Sequence, residues 1–113
     1  MTTPTLAQRR CVPCEGGVAP LTPSEAAEFM TRLGPAWTLS EDGRKLHGHF
    51  EFKNYFRTLS FVNAAAYIAI HDDHHPDIAF DYKNCDIRYW THAIDGLSEN
   101  DFICAAKTDA LLV

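Results

Sequence analysis

Lys45-Leu46-His47-Gly48-His49-Phe50-Glu51-Phe52 alternates without a break. Leu46, Gly48, Phe50 and Phe52 fall on one face and Lys45, His47, His49 and Glu51 on the other, the period of two expected of a strand with one dry and one wet side. A strand buried on both sides, as in a parallel sheet, would read as a continuous apolar run. This segment therefore points to an antiparallel sheet. His47 and His49 are expected on its wet side as solvated residues.

Upstream of this strand, Trp37-Thr38-Leu39 reads as a short partner, turned back by Glu41-Asp42-Gly43. Before that, Thr22-Pro23-Ser24-Glu25 has the pattern of a helix start, with Thr22 as cap, Pro23 in the first turn and Glu25 at the capping-box position. The helix carries Ala26, Phe29, Met30 and Leu33 on one stripe and stops at Gly34-Pro35. Downstream, a long helix is predicted from Asn54 to about His74. Its apolar side is Tyr55, Leu59, Val62, Ala66 and Ala69, flanked by Phe61, Ala65 and Ile68, with Asn54, Arg57 and Ser60 on the wet side. Pro76 ends it, because the residue before a proline is pushed out of the α region.

Two further strands are predicted at about Ile78–Tyr82 and Cys85–His92, joined by the tight Lys83-Asn84 turn. Ser98 then caps a last helix, with Asp101 at the third position and Phe102, Ile103, Ala106 and Ala110 on its apolar side. The order helix, strand, strand, helix, strand, strand, helix defines an α+β fold, αββαββα, with a four-stranded antiparallel sheet and three helices packed on one face. Its other face is left to water or to a second subunit, and its edge strands need pairing or guarding. The chain reads as one domain over residues 1–113. Residues 1–21, with Pro4, Pro13, Pro20 and Gly16-Gly17, form an irregular N-terminal arm.

With 113 residues, 46% of them hydrophobic, the chain can bury roughly two-thirds of its unfolded surface in one core. Ten Lys and Arg against fifteen Asp and Glu give a net charge of −5, which argues against nucleic-acid binding by phosphate neutralisation. The longest apolar run is Ala64–Ile70, far short of the ~20 residues of a membrane helix. The N-terminus lacks a secretory pattern, so a cytoplasmic location is expected. In that compartment Cys11, Cys14, Cys85 and Cys104 are expected as thiols, the first two in the arm and the last two as core residues.

Three of the six histidines fall in His71-Asp72-Asp73-His74-His75, just before Pro76. His92 closes the last predicted strand. If that strand end lies beside the helix end, His74, His75 and His92 converge on one pocket, and Asp73 or Asp72 can fix an imidazole tautomer. Several groups that titrate near neutrality suit general acid–base chemistry. The same run also has zincin-like spacing, with His71 and His75 as ligands and Asp72 in the glutamate's place. That metallohydrolase alternative needs both histidines on one continuous helix, which Pro76 opposes.

His74-His75-Pro76, five residues, Tyr82, nine residues, His92, eight residues and Asp101 form a spacing pattern carried over four segments. In this pattern, and in Thr91-His92 and Gly96-Leu97-Ser98, the sequence resembles the pterin-4a-carbinolamine dehydratase family, especially its bacterial members. The resemblance implies that His74, His75 and His92 are catalytic and line a pterin pocket, with Asp73, Trp90 and Thr91 also binding substrate. His74 and His92 would act as acid and base on opposite faces of the ring, and His75 would orient it. Asp101 matches the family's closing aspartate, although it also fits an ordinary acid at a helix N-terminus. The pattern is broken at Ile70, where many members carry glutamate. His71 or Asp72 would have to supply that polarity, or substrate orientation is weaker.

The implied reaction is loss of water from 4a-hydroxytetrahydrobiopterin to give quinonoid dihydropterin, with no cofactor and no metal. It recycles the tetrahydropterin of aromatic amino-acid hydroxylases, phenylalanine hydroxylation included. The resemblance further implies a homodimer or homotetramer. The non-enzymatic alternative is a dimerisation or partner-binding module of the same fold, and the intact histidine set argues against it.

Overall fold

The structure, a computed structural model, describes residues 5–9 and 19–112. Cys11 and Cys14 lie outside the described residues. Helix α1 spans Pro23–Met30, strand β1 Trp37–Leu39, β2 Leu46–Glu51, helix α2 Tyr55–Asp72, β3 Asp77–Phe80, β4 Asn84–Tyr89 and helix α3 Glu99–Asp109. Short 3₁₀ turns occupy Leu6–Gln8, His92–Ile94 and Ala110–Leu112. The strands are ordered β1-β2-β4-β3 and every neighbouring pair is antiparallel, so two hairpins joined by α2 make the sheet.

Local chemistry accounts for the helix starts. Thr22 Oγ1 accepts from the Glu25 backbone N–H at 3.2 Å while Glu25 accepts from the Thr22 N–H at 2.9 Å, a reciprocal capping box. Asn54 caps α2 by accepting from the Arg57 N–H at 3.0 Å. Ser98 and Asp101 form the capping box of α3.

The dry face of the sheet carries Trp37, Leu46, Phe50, Cys85, Ile87 and Tyr89, all buried against the helices with Phe61, Ala65, Phe102 and Ile103. Gly48 lies between Trp37 and Ile87 in the register. A Cβ on it would come within 2.8 Å of both the Trp37 and Phe50 rings, so two aromatic side chains fill the space a larger residue would need. Helix α3 is enclosed on most of its circumference, with Phe102, Ile103, Cys104, Ala105 and Thr108 all buried. Leu6, from the segment before α1, joins the same core.

Three predicted details need correction. The buried stripe of α2 is Thr58, Phe61, Ala65, Ala69 and Asp72; of the expected row, Ala69 lies on it and Val62 packs half-buried against the core, but Tyr55 is exposed. Two polar residues belong to it because each is satisfied: Thr58 donates to the carbonyls of Asn54 and Tyr82 at 3.0 Å each, and Asp72 accepts from Lys107 at 2.7 Å. The helix also stops at Asp72, ahead of His74, because Asp73 takes the left-handed conformation (φ 51°, ψ 43°) before Pro76 acts. Finally, β4 ends at Tyr89, and His92 opens a 3₁₀ turn instead of closing a strand.

The wet face of the sheet is more organised than a solvated surface. His47 Nε2 and His49 Nδ1 each donate to the same oxygen of Asp86, both at 2.8 Å. These bonds hold the Asp86 carboxyl below its usual range, and the bond His49 donates to Asp86 raises His49 above the usual imidazole range. A reading of the two histidines as merely solvated is therefore replaced by a cross-strand triad.

Candidate active site

The site forms where the C-terminal end of α2 meets the exit from β4. The left-handed turn at Asp73 swings the chain off the helix axis, so His74 and His75 project outside the helix in different directions. His74 turns inward. Its Nε2 donates to Asp101 Oδ1 at 2.6 Å, and its ring lies parallel to Tyr89, with centroids 6.2 Å apart and an interplanar angle of 8°. His75 stays exposed and faces His92, with ring centroids 5.7 Å apart. His92 in turn stacks on Trp90 at 4.4 Å and 19°. The two histidine segments thus meet in space.

Asp101 ties the site to the scaffold. Its Oδ2 accepts from the Thr91 hydroxyl and the Ser98 backbone N–H, both at 2.9 Å, so one buried carboxylate caps α3, holds the β4 exit and fixes the His74 ring. Donation from Nε2 specifies the His74 tautomer whenever that ring is neutral. Thr91 is itself buried, with a further hydroxyl contact to Ser98 at 2.7 Å, and its turn is closed by paired backbone bonds with Gly96.

The other expected site residues are placed as follows. Asp73 is exposed and forms the helix cap. Trp90 is half-buried beside His92. Ile70 points to solvent with 79% exposure. Of the two side chains able to replace a glutamate there, Asp72 is committed to Lys107, and the His71 ring lies parallel to Tyr67 at 6.2 Å. The break after Asp72 removes the continuous helix that a zincin pair at His71 and His75 requires. Among the described residues, no group of three or more His, Cys, Asp or Glu side chains is arranged to hold a metal ion. Sequence reasoning missed Lys45 at this end of the sheet. Its ammonium sits 4.4 Å over the Trp90 ring, one position beyond the Leu46–Tyr89 pair. Only the strand register brings the two together.

A buried carboxylate holding one imidazole thus lies beside an exposed pair of imidazoles at one end of an αββαββα sheet. Comparison with known proteins gives the family. The model of the pterin 4 alpha carbinolamine dehydratase family matches residues 19–111, and the chain belongs to that family. A protein of Nitrosomonas eutropha that carries the pterin-4-alpha-carbinolamine dehydratase name is 51% identical over 108 residues, covering 96% of this chain and 94% of the relative. One from Stenotrophomonas maltophilia strain R551-3 with the same name is 53% identical over 106 residues, covering 94% and 90%. Among solved structures, a transcriptional coactivator/pterin dehydratase from Brucella melitensis superposes with a TM-score of 0.77 at 30% identity, over 81% of this chain and 97% of that one. A pterin dehydratase-like protein described as a RuBisCO assembly factor in the alpha-carboxysome superposes with a TM-score of 0.59 at 26% identity, over 67% and 88%.

Proposed function

We propose that this chain dehydrates 4a-hydroxytetrahydropterin to the quinonoid dihydropterin, with His74 and His92 as the acid–base pair and His75 as the group that orients the ring. The carrying observation is the meeting of His75 and His92, 5.7 Å apart, beside a His74 anchored on Asp101. An imidazolium gives its proton to the departing 4a-hydroxyl, which leaves as water. A neutral imidazole takes the proton from the ring nitrogen, and the electron pair left behind forms the new C=N bond. Each transfer contributes about 10²–10⁴-fold. Asp101 balances the positive charge that forms when His74 takes a proton. Asp73 and Thr91 serve this reading indirectly, as the turn that aims the two histidines and as the hydroxyl that seats Asp101.

In this reading the product is reduced back to the tetrahydropterin that an aromatic amino-acid hydroxylase consumes. The protein works in the reducing cytosol, where the buried thiols of Cys85 and Cys104 persist. No helix among the described residues is long and apolar enough to cross a membrane. Assembly into a homodimer or homotetramer is supported by Phe56, Tyr67 and Ile70, which line up on the outer side of α2 with 68–79% exposure. The same stripe favours a second reading, a partner-binding module, since the two solved neighbours are described as a transcriptional coactivator and a RuBisCO assembly factor.

Dehydration of synthetic carbinolamine by wild type, His74→Ala, His75→Ala and His92→Ala decides between the two. The proposal expects activity in the wild type and losses of at least about tenfold in the first and last variants. Wild-type rates in both of those variants, or an inactive wild type that still oligomerises by light scattering, would leave the partner-binding reading.

A further inference from the structure

His92 and His74 are held by different means. His74 has a buried carboxylate on Nε2, whereas the His92 ring is exposed and makes no side-chain hydrogen bond among the described residues. His92 instead lies in a run of neighbouring contacts, His75, His92, Trp90, Lys45. Successive members are 5.7, 4.4 and 4.4 Å apart by ring centroid or ammonium. Trp90 is half-buried and the indole makes no hydrogen bond of its own among the described residues, so its orientation rests on its packing. Lys45 is exposed and forms no salt bridge or hydrogen bond from its side chain among the described residues, and its ammonium lies over the indole face.

We propose that Lys45 and Trp90 are positioning residues for His92: the Lys45 ammonium holds the indole in place, and the indole holds the His92 ring against His75 in the geometry used for proton transfer. This inference rests on the dehydratase reading and assigns Trp90 a task different from contact with the pterin. An indole already stacked on His92 and covered by a cation is better suited to orient that histidine than to serve as a platform for substrate. The cation–π contact is an exposed one, so its loss should be modest and specific to the step that uses His92.

The test uses the full chain and the variants Lys45→Met, Lys45→Arg and Trp90→Leu. Proton NMR of the imidazole CH groups reads the stack directly, because the indole ring current displaces the His92 resonances. In K45M these resonances should move toward free-histidine positions while those of His74 stay fixed. K45R, which can also lie on an indole, should keep the wild-type positions. In K45M, kcat for carbinolamine dehydration should fall about two- to fivefold, with KM changed by less than about twofold and the rate recovered in K45R. W90L should show both changes more strongly. The proposal is overturned if His92 resonances and kcat in K45M match wild type, or if K45R behaves like K45M. A wild type without dehydratase activity would sink the reading of function instead, and the spectra would still decide whether Lys45 and Trp90 order His92.

Discussion

The Nε2 of His74 lies 2.6 Å from Oδ1 of Asp101, whose side chain has no solvent exposure. The same carboxylate receives Thr91 and the α3 N-terminus, so the orientation of His74 and the capping of α3 share one group. Asp101→Asn keeps the shape but loses the charge and offers an amide N–H to one of its present donors. It should lower kcat by about ten- to a hundredfold through misplacement of His74 and stability by about 1.5–3 kcal/mol. Steady-state dehydration rates and urea denaturation measure the two effects. Full activity in a stable variant would show that the His74 ring does not depend on this anchor.

Lys107 and Asp72 join the C-terminal turns of α3 and α2 at 2.7 Å, with side-chain exposures of 16% and 2%. Lys107→Met leaves the Asp72 carboxylate buried without a partner, so a loss of about 3–5 kcal/mol is expected. Adding Asp72→Asn should recover a large part of it. Chemical denaturation of the double-mutant cycle tests this, and simple additivity of the two losses would contradict the pairing.

Gly48→Ala should destabilise the sheet by about 1–3 kcal/mol, because the new methyl meets two aromatic rings packed against other core residues. A companion change, Phe50→Leu, should relieve part of that cost. Thermal unfolding of the single and double variants is the check, and a neutral Gly48→Ala would mean the rings can move apart.

The triad of His47, Asp86 and His49 should give stability a defined pH window. Asp86, shifted below its reference of 3.8, contributes above that value and loses the contribution as pH falls through its lowered value. His49, shifted above its reference of 6.5, contributes below that value and loses the contribution as pH rises through its raised value. The stability difference between wild type and Asp86→Asn should therefore be largest between the two references and shrink on either side. In the same variant, NMR should find His49 titrating lower than in wild type. A stability difference that is flat with pH would remove the triad from the account.

Much of this architecture was readable from short-range patterns. The alternation at Leu46–Glu51 marked a strand with one dry side, and Thr22–Glu25 and Ser98–Asp101 announced their helices because a capping box is written within four residues. The facing of α2 was less readable. Thr58 and Asp72 are polar residues made acceptable inside by Tyr82 and Lys107, whose proximity only the folded chain creates. The histidine cluster was visible in the spacing, whereas its approach to His92 was only conditional on two element ends lying side by side, which the fold supplies. The cross-strand partners were not: Asp86 between His47 and His49, and Lys45 over Trp90, depend on a register that one strand's sequence does not specify.

Leu6 is 4% exposed and packs into the core from a single 3₁₀ turn, with Arg9 paired to Glu99 on α3 nearby. The family match begins only at residue 19. A gene fragment cut at that boundary for expression would encode every strand and α-helix of the described residues and still remove a plug from the hydrophobic interior. Such a truncated product should precipitate or melt early for want of one leucine, even with its histidines untouched.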